Sequence, residues 1–297
     1  MIRIFCLTLF LTCCSLFVFA TENTEIALKV DQILAEANIH ESRGVAKALA
    51  KLGKRAVPHL IEKLNSYKHP SLIVEALGRI GDRNAVLPLV DFLKKHNLTE
   101  KQEILLIKAT LKTLADLKDP RPEAELLEIL RNEKNLTAVR LYAATTLASI
   151  GSEQARLEAS NFIMNSPLLS AGKISPVDLD TAYFELGTKE AMHRLVEALQ
   201  SGLGYEQLFI VDLFAERITP EVNEILLKVS ENKKHFPEVR LRAIETLVTR
   251  KDVSKERLLE ALYSLRNDVP QTEDPGYLVT KQAVDHLIDR VLRGSKK

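Results

Sequence analysis

Residues 76–93 read ALGRIGDRNAVLPLVDFL, and the first six residues of this stretch recur in altered form along the chain. The related phrases are ALAKLG at 48–53, TLADL at 113–117, TLASIG at 146–151, AYFELG at 182–187, LFAER at 213–217 and TLVTR at 246–250. Their second residues stand at 49, 77, 114, 147, 183, 214 and 247, so the spacing is close to constant without being equal. Self-similarity with a period of about 20 to 50 residues is typical of repeat architectures. The sequence therefore predicts seven repeated units joined by loops of unequal length.

Each phrase predicts the end of one helix, and the residues that follow predict a second helix. Within 85–93, apolar residues at 85, 86, 89, 90 and 93 form the stripe of an amphipathic helix. Similar stripes occur at 56–64 and 191–199, with looser versions at 226–229 and 258–262. A single helix pair cannot bury its apolar face alone, so neighbouring pairs must stack to form a continuous core. We expect an all-α fold of about seven helix pairs.

Terminal units of such a stack have one neighbour only and must differ from the others. Residues 25–47 are predicted to form an N-terminal cap, and Tyr277 to Leu292 a C-terminal capping helix. Four glycines, at 53, 81, 151 and 187, stand where a helix end favours a left-handed residue. Thr219-Pro220-Glu221 predicts a helix start, and Thr99-Glu100-Lys101-Gln102 predicts a capping box.

The N-terminal residues 1–20 read MIRIFCLTLFLTCCSLFVFA, with one arginine at position 3 and no charge from Ile4 to Phe19. A short positive region, an apolar core and small residues before a polar segment are the layout of a cleavable secretory signal. We expect cleavage after Ala20 and a periplasmic or secreted location, without stable membrane insertion afterwards. A retained membrane anchor and lipidation at Cys13 or Cys14 are the alternatives.

All three cysteines lie inside this signal, so the mature chain would carry no thiol. A protein without thiols suits an oxidising compartment, and it has no cysteine-based metal site or nucleophile. The remaining residues 21–297 are predicted to form one repeat domain with terminal capping helices. The 41 basic and 40 acidic residues nearly cancel, which argues against nucleic acid as a partner because such binding needs a positive excess.

Sequence motifs for catalysis are absent. There is no His-Glu-x-x-His pair, phosphate-binding loop, nucleophile elbow or dinucleotide fingerprint. Close carboxylates such as those at 123, 125 and 128 are interpreted as one solvated helix face. Of the seven histidines, only His59 and His193 stand at matching places in second helices, and these are the ones to test as ligands. We predict that the protein is not an enzyme, with no catalytic residues, no cofactor and no metal.

Three stretches resemble a known family. These are AVRLYAATTLASIG at 138–151, PEVRLRAIETL at 237–247 and the opening stretch at 76–93. They resemble the HEAT-repeat family, in particular the bacterial phycobilin-lyase-type HEAT-like repeat, over roughly residues 40–265. The resemblance implies a right-handed α-α superhelix with first helices on the convex face and second helices lining the concave groove. It also implies that the arginines at 140 and 240 pair with an aspartate such as Asp82, in a structural role.

The leading functional hypothesis is an exported scaffold that binds a protein or peptide partner through its concave groove. Mixed charges on the second helices favour a polar protein partner. The candidate groove residues are Lys63, Asp91, Lys94, Glu128, Arg131, Arg194, Glu197, Lys228, Glu260 and Tyr263. Two alternatives are an accessory factor for chromophore or cofactor attachment, as the lyase-type resemblance implies, and a secreted effector that acts on host proteins. The oligomeric state is not predicted.

Overall fold

The computed structural model describes residues 24–37, 42–169, 174–269 and 275–293. Every regular element within these ranges is a helix, and none of them is a strand, which confirms the all-α prediction. The predicted signal at 1–20 and its cleavage site lie outside the described residues. So do His40 and parts of the two long loops that follow Asn165 and Asn267.

Contacts divide the chain into two compact units, of which the first is Met1–Ile174. In this unit first helices contact the next first helices along the chain (α2 with α4, α4 with α6, α6 with α8), and each is followed by a second helix. Short 3-10 turns precede several of these helices. The helices of this unit are α1 (24–35), α2 (Ser42–Lys51), α3 (Val57–Leu64), α4 (Pro70–Ile80), α5 (Val86–Lys94), α6 (Ile104–Asp116), α7 (Glu123–Arg131), α8 (Thr137–Ile150) and α9 (Glu153–Asn165).

The second unit, Ser175–Lys297, has the same alternation of first and second helices. Its first helices α10, α12, α14 and α16 contact one another in succession, and α13 contacts α15 in the second layer. The helices are α10 (Pro176–Leu186), α11 (Lys189–Ser201), α12 (Gly204–Ala215), α13 (Pro220–Glu231), α14 (Pro237–Val248), α15 (Lys255–Asp268) and α16 (Pro275–Arg293). All seven repeated phrases begin in first helices, and helices α2 to α15 form seven pairs, as predicted.

The terminal helices agree with the predicted caps in one case and differ in the other. Helix α16 packs on α14 and α15. It begins two residues before the predicted capping helix and ends one residue after it. At the N-terminus the predicted cap at 25–47 is too long, because residues from Ser42 onward belong to α2, the first helix of the first pair. Only α1 stands outside the pairs at this end.

Threonines at the start of two phrases join successive first helices in the first unit. Thr113 Oγ1 donates to the Val74 carbonyl at 3.3 Å. Thr146 Oγ1 shares its proton between the Leu111 carbonyl at 3.1 Å and the Tyr142 carbonyl of its own helix at 2.9 Å. A Cβ at Gly78 would stand 3.1 Å from Thr113 Oγ1, so the glycine leaves room for this close approach. Small residues in these phrases thus let neighbouring first helices approach closely, so that a threonine hydroxyl of one helix can bond a backbone carbonyl of the other.

Three of the four predicted left-handed glycines have positive φ: Gly53 at 71°, Gly81 at 70° and Gly187 at 61°. The prediction is wrong for Gly151, whose φ is −70°. Its neighbour Ser152 caps α9 by accepting from the Ala155 N–H, but Thr188 caps α11 in the same way directly after Gly187, so the cap does not explain the difference between the two glycines.

The predicted helix start at Thr219 is confirmed, since its hydroxyl accepts from the Val222 N–H at 3.2 Å. The predicted capping box at Thr99 is wrong. Thr99 Oγ1 instead donates to Asn97 Oδ1 at 2.6 Å, and Asn97 also accepts from the Thr99 N–H. An asparagine side chain that accepts from the backbone N–H two residues ahead forms a turn of its own. In this turn the Thr99 hydroxyl bonds Asn97 instead of capping the following helix.

The pairing of the arginines at 140 and 240 with Asp82 is also wrong, although Arg240 pairs with another aspartate, Asp268, at 2.8 Å. Arg140 Nε donates to the Leu130 carbonyl at 2.8 Å, and Arg240 Nε donates to the Ser230 carbonyl at 2.9 Å. Asp82 accepts from the Asn84 N–H within its own turn. The last carbonyls of a helix have no partner within that helix. Each arginine therefore supplies a donor to the end of the preceding second helix.

Two further arginines bridge consecutive first helices in the second unit. Arg217 Nη2 donates to the Phe184 carbonyl at 2.6 Å, and Arg250 Nη2 donates to the Phe214 carbonyl at 2.8 Å. Both stand where the other phrases have leucine or isoleucine. Arg250 also donates to Asn223, so its buried guanidinium is held by several acceptors.

Candidate interaction surface

The ten predicted groove residues all lie on second helices, as expected from the sequence. Nine are exposed, and the tenth, Lys63, is half-buried. Helices α3, α5 and α7 of the first unit carry five of them, and helices α11, α13 and α15 of the second unit carry the other five. Each unit therefore presents its own row of polar side chains on its second helices.

In the first unit, three of the five predicted residues form ion pairs with a neighbouring second helix or with α1. Lys63 contacts Asp31 on α1 at 2.7 Å, and Lys94 contacts Glu125 at 3.1 Å. The guanidinium of Arg131 lies 2.7 Å from Glu158 and holds the pKa of that carboxyl below its usual range. These side chains join adjacent helices of the layer.

The three acidic residues of α7 that were interpreted as solvated are only partly so. Glu123 accepts from the Ser152 N–H at 2.6 Å and from its hydroxyl at 2.9 Å, which ties α7 to the start of α9. Glu125 pairs with Lys94, and Glu128 is exposed. The expectation of one solvated face is wrong for the first two residues, because the neighbouring second helices supply donors within reach.

In the second unit, a cleft of about 500 Å³ opens between the second helices α11 and α13. Its floor is apolar because both helices turn a hydrophobic stripe toward the gap. The floor residues are Met192, Val196, Leu199, Ile225 and Val229. The polar lining residues are Lys189, His193, Gln200, Glu221, Glu224, Lys228, Asn232 and His235. The predicted groove residue Lys228 and the candidate ligand His193 thus line the same cleft.

The other predicted residues of this unit lie outside the cleft lining. Arg194 and Glu197 pair with each other along α11 at 3.4 Å, and Glu197 also contacts His193. Glu260 and Tyr263 lie on α15, where Tyr263 is 44% exposed. The structure therefore brings together only part of the predicted set.

His235 is the lining residue that sequence reasoning missed. It was assigned to a helix end, yet it is only 7% exposed and lines the cleft. Burial, with a smaller effect from Arg240, lowers the pKa of His235, so the imidazole is neutral at pH 7. A sequence signal existed: NKKHFPEVR at 232–240 parallels NEKNLTAVR at 132–140, and Asn135 lines a smaller cleft at the matching place.

A buried carboxylate stands apart from the cleft. Asp180 on α10 is 4% exposed, and its Oδ2 has no hydrogen-bond partner among the described residues. Burial, and then the charge of Glu206 on α12, raises the pKa of Asp180 to about 7. The described residues include no group of three or more His, Cys, Asp or Glu side chains that could hold a metal. Among the described helices, none offers an apolar stretch of membrane-spanning length.

The comparison with protein families agrees with the helix pairs of the first unit. Residues 43–66 and 72–95 match the family described as PBS lyase HEAT-like repeat, and these ranges cover the pairs α2–α3 and α4–α5 except for the first residues of α2 and α4. None of the curated proteins matches the sequence. A solved structure of human deoxyhypusine hydroxylase in complex with glycerol is 15% identical over 94% of this chain and 99% of that chain, with a TM-score of 0.37. The protein is an all-α chain of helix pairs, of which the pairs at 43–66 and 72–95 match the PBS lyase HEAT-like repeat.

Proposed function

We propose that the protein is a non-enzymatic scaffold that holds a protein or peptide partner on its second-helix face. The observation that carries this proposal is the α11–α13 cleft, which combines an apolar floor with a polar lining. Its volume of about 500 Å³ falls within the range of about 300 to 1,000 Å³ that is usual for ligand sites. An apolar centre inside a polar rim is also the usual anatomy of a protein interface.

The proposal includes action outside the cytoplasm after removal of residues 1–20. The support is the charge-free stretch behind a single arginine and the confinement of all cysteines to it. Fractionation of cells that express the full chain tests this part. We expect a shortened protein in the periplasm or medium, with Thr21 as its first residue; a full-length protein in the cytoplasm would refute export.

The binding role is tested by affinity capture with the mature chain as bait. Wild type is compared with Ile225→Asp, which places a charge in the cleft floor, and with Ile218→Asp, which changes a 72% exposed residue in the α12–α13 loop. We expect a partner that wild type and the Ile218 variant retain and the Ile225 variant loses. A set of captured proteins identical for all three baits would contradict binding through this cleft.

A second candidate function is assistance in chromophore or cofactor attachment. The observation that favours it is the description of the matching repeats, PBS lyase HEAT-like. Mixing the purified protein with a linear tetrapyrrole and recording the visible spectrum separates the two candidates. A shifted, protein-bound absorption band supports the attachment role, whereas an unchanged pigment spectrum supports the scaffold.

A further inference from the structure

The α11–α13 cleft contains a buried imidazole that forms no hydrogen bond within the fold. His235 is 7% exposed and lines the cleft, and neither of its ring nitrogens has a hydrogen-bond partner among the described residues. In the described part of the chain, the fully buried side-chain nitrogen or oxygen atoms without a partner are Asp180 Oδ2 and Gln207 Oε1. The ring nitrogens of His235 are not among them, so both can be reached from the cleft.

The matching residue of the first unit is satisfied by its own fold. The smaller cleft, of about 190 Å³, is lined by Asn135, which stands where the second unit has His235. Asn135 Nδ2 donates to the Ile129 carbonyl at 3.0 Å, so this amide is used at the end of α7. Among the described residues, His235 makes no such bond to the corresponding Val229 carbonyl. The open imidazole is therefore a property of the α11–α13 cleft and not of the repeat.

The lysines and glutamates around the cleft balance each other. Two lysines, Lys189 and Lys228, and two glutamates, Glu221 and Glu224, belong to its lining. Arg257 contacts Glu224 at 3.0 Å and lowers the pKa of that carboxyl, and the charge of Lys228 acts in the same direction. A rim with equal numbers of both signs favours neither an anion nor a cation. The floor and His235 therefore decide which ligand fits.

The floor and the imidazole favour a ligand that is apolar apart from one hydrogen-bonding group. The five apolar floor residues favour a surface that is mostly hydrocarbon. The lowered pKa of His235, caused first by burial and then by Arg240, keeps the imidazole neutral at pH 7. A neutral imidazole has one nitrogen that donates and one that accepts. A hydroxyl can bond either nitrogen because it both donates and accepts, whereas a carbonyl can bond only the donor and an ammonium only the acceptor.

From these features we infer that the α11–α13 cleft binds a small neutral alcohol or phenol with an apolar body. The apolar body lies on the floor, and the hydroxyl forms a hydrogen bond with the imidazole of His235. The volume of about 500 Å³ is sufficient for a molecule of this class. The inference goes beyond the proposed scaffold function, because a small molecule can occupy the floor whether or not a protein partner is bound.

Isothermal titration calorimetry of the purified protein with three matched ligands tests the chemistry of the ligand. The ligands are para-butylphenol, para-butylbenzoate and para-butylbenzylammonium, which share the apolar body and differ in the charge of the polar group. We expect saturable binding of the phenol and about fivefold or more weaker binding of each ion, because an ion loses its hydration on an apolar floor without an opposite charge in excess. Absence of saturable phenol binding, or an ion that binds as tightly as the phenol, would overturn the inference.

A cycle of two ligands and two His235 variants tests the hydrogen bond. Butylbenzene differs from para-butylphenol only by the missing hydroxyl, and His235→Phe keeps a ring but removes its nitrogens. We expect the affinity for the phenol relative to butylbenzene to fall about fivefold in His235→Phe. His235→Gln should keep the wild-type ratio, because its amide can donate and accept. A wild-type ratio in a His235→Phe variant with unchanged circular dichroism would refute the bond; if that variant does not fold, the comparison of the three ligands on wild type still decides.

The two aspartate variants of the capture experiment test the location. Ile225→Asp changes the cleft floor and should abolish binding of para-butylphenol, whereas Ile218→Asp, at a 72% exposed position, should bind the phenol like wild type. Phenol binding that persists in Ile225→Asp would place the ligand elsewhere and overturn the inference. Capture of a protein partner together with absence of phenol binding would leave the scaffold function standing and show this inference to be wrong.

Discussion

The buried carboxylate of Asp180 makes the stability of the protein depend on pH in a way that one substitution should remove. The folded chain raises the pKa of Asp180 from 3.8 to about 7, first by burial and then by the charge of Glu206. Tyr183, one turn along α10, is the other titratable group coupled to it. A folded-state pKa above the unfolded value means that the folded protein binds the proton more tightly. The ionised form is therefore the destabilising one.

The magnitude follows from the difference between the two pKa values. Each unit of pKa difference corresponds to about 1.4 kcal/mol, so about three units give at most roughly 4 kcal/mol. The penalty is absent below about pH 4, increases as the pH rises, and is complete above about pH 7. Asp180→Asn cannot ionise and should not carry this pH dependence.

Urea unfolding followed by circular dichroism, at half-unit steps from pH 4 to pH 8, measures the effect. The quantity of interest is the free energy of unfolding of Asp180→Asn minus that of wild type, since the cost of the amide itself cancels between pH values. We expect this difference to increase by several kcal/mol, and by at most about 4, between pH 4 and pH 8. Asp91→Asn, at an exposed position of α5, should give a constant difference. A constant difference for Asp180→Asn as well would refute the reasoning.

Three further substitutions test two contacts between helices of the same unit and one helix end. Arg240→Ala removes a 1% exposed guanidinium from Asp268 and the Ser230 carbonyl, and it should lower the free energy of unfolding by about 3 kcal/mol. The control Arg242→Ala, at an exposed position, should lower it by less than about 1 kcal/mol. Equal losses for the two variants would contradict the assigned roles. Thr146→Val deletes the bond to the preceding first helix and should cost about 1 kcal/mol in urea unfolding, so an unchanged midpoint would count against that bond. Gly81→Ala forces a side chain into left-handed backbone and should lower the melting temperature by an amount equivalent to about 1 kcal/mol, and a higher melting temperature would show the reasoning to be mistaken.

The helix pairs could be predicted from the sequence because their cause is local and repeated. In each phrase, small residues and leucines recur with helical spacing, and positions such as Leu77, Leu114 and Leu147 are completely buried. This periodicity follows from the chain alone, so seven phrases gave seven first helices. The same local logic located Gly81 and Gly187 at left-handed helix ends.

The exceptions have causes that the local sequence does not contain. Gly151 is followed by a capping serine just as Gly187 is followed by a capping threonine, yet only Gly187 is left-handed, so the local sequence does not distinguish the two. The burial of His235 and the openness of the α11–α13 cleft depend on how second helices are placed across gaps of about thirty residues in sequence. The Lys94–Glu125 ion pair joins residues 31 apart in sequence, so it depends on how α5 and α7 are placed beside each other and not on either helix alone.

The arginine bridges also have a direction along the chain. Arg140 and Arg240 each donate to a carbonyl ten residues earlier in the chain. Arg217 and Arg250 donate to carbonyls 33 and 36 residues earlier. In every case the acceptor precedes its donor in the chain, so a chain truncated from the C-terminus loses the arginine donor before the carbonyl that it serves. A truncation that removes Arg250 would leave the Phe214 carbonyl with the Arg217 N–H, at 3.2 Å, as its donor.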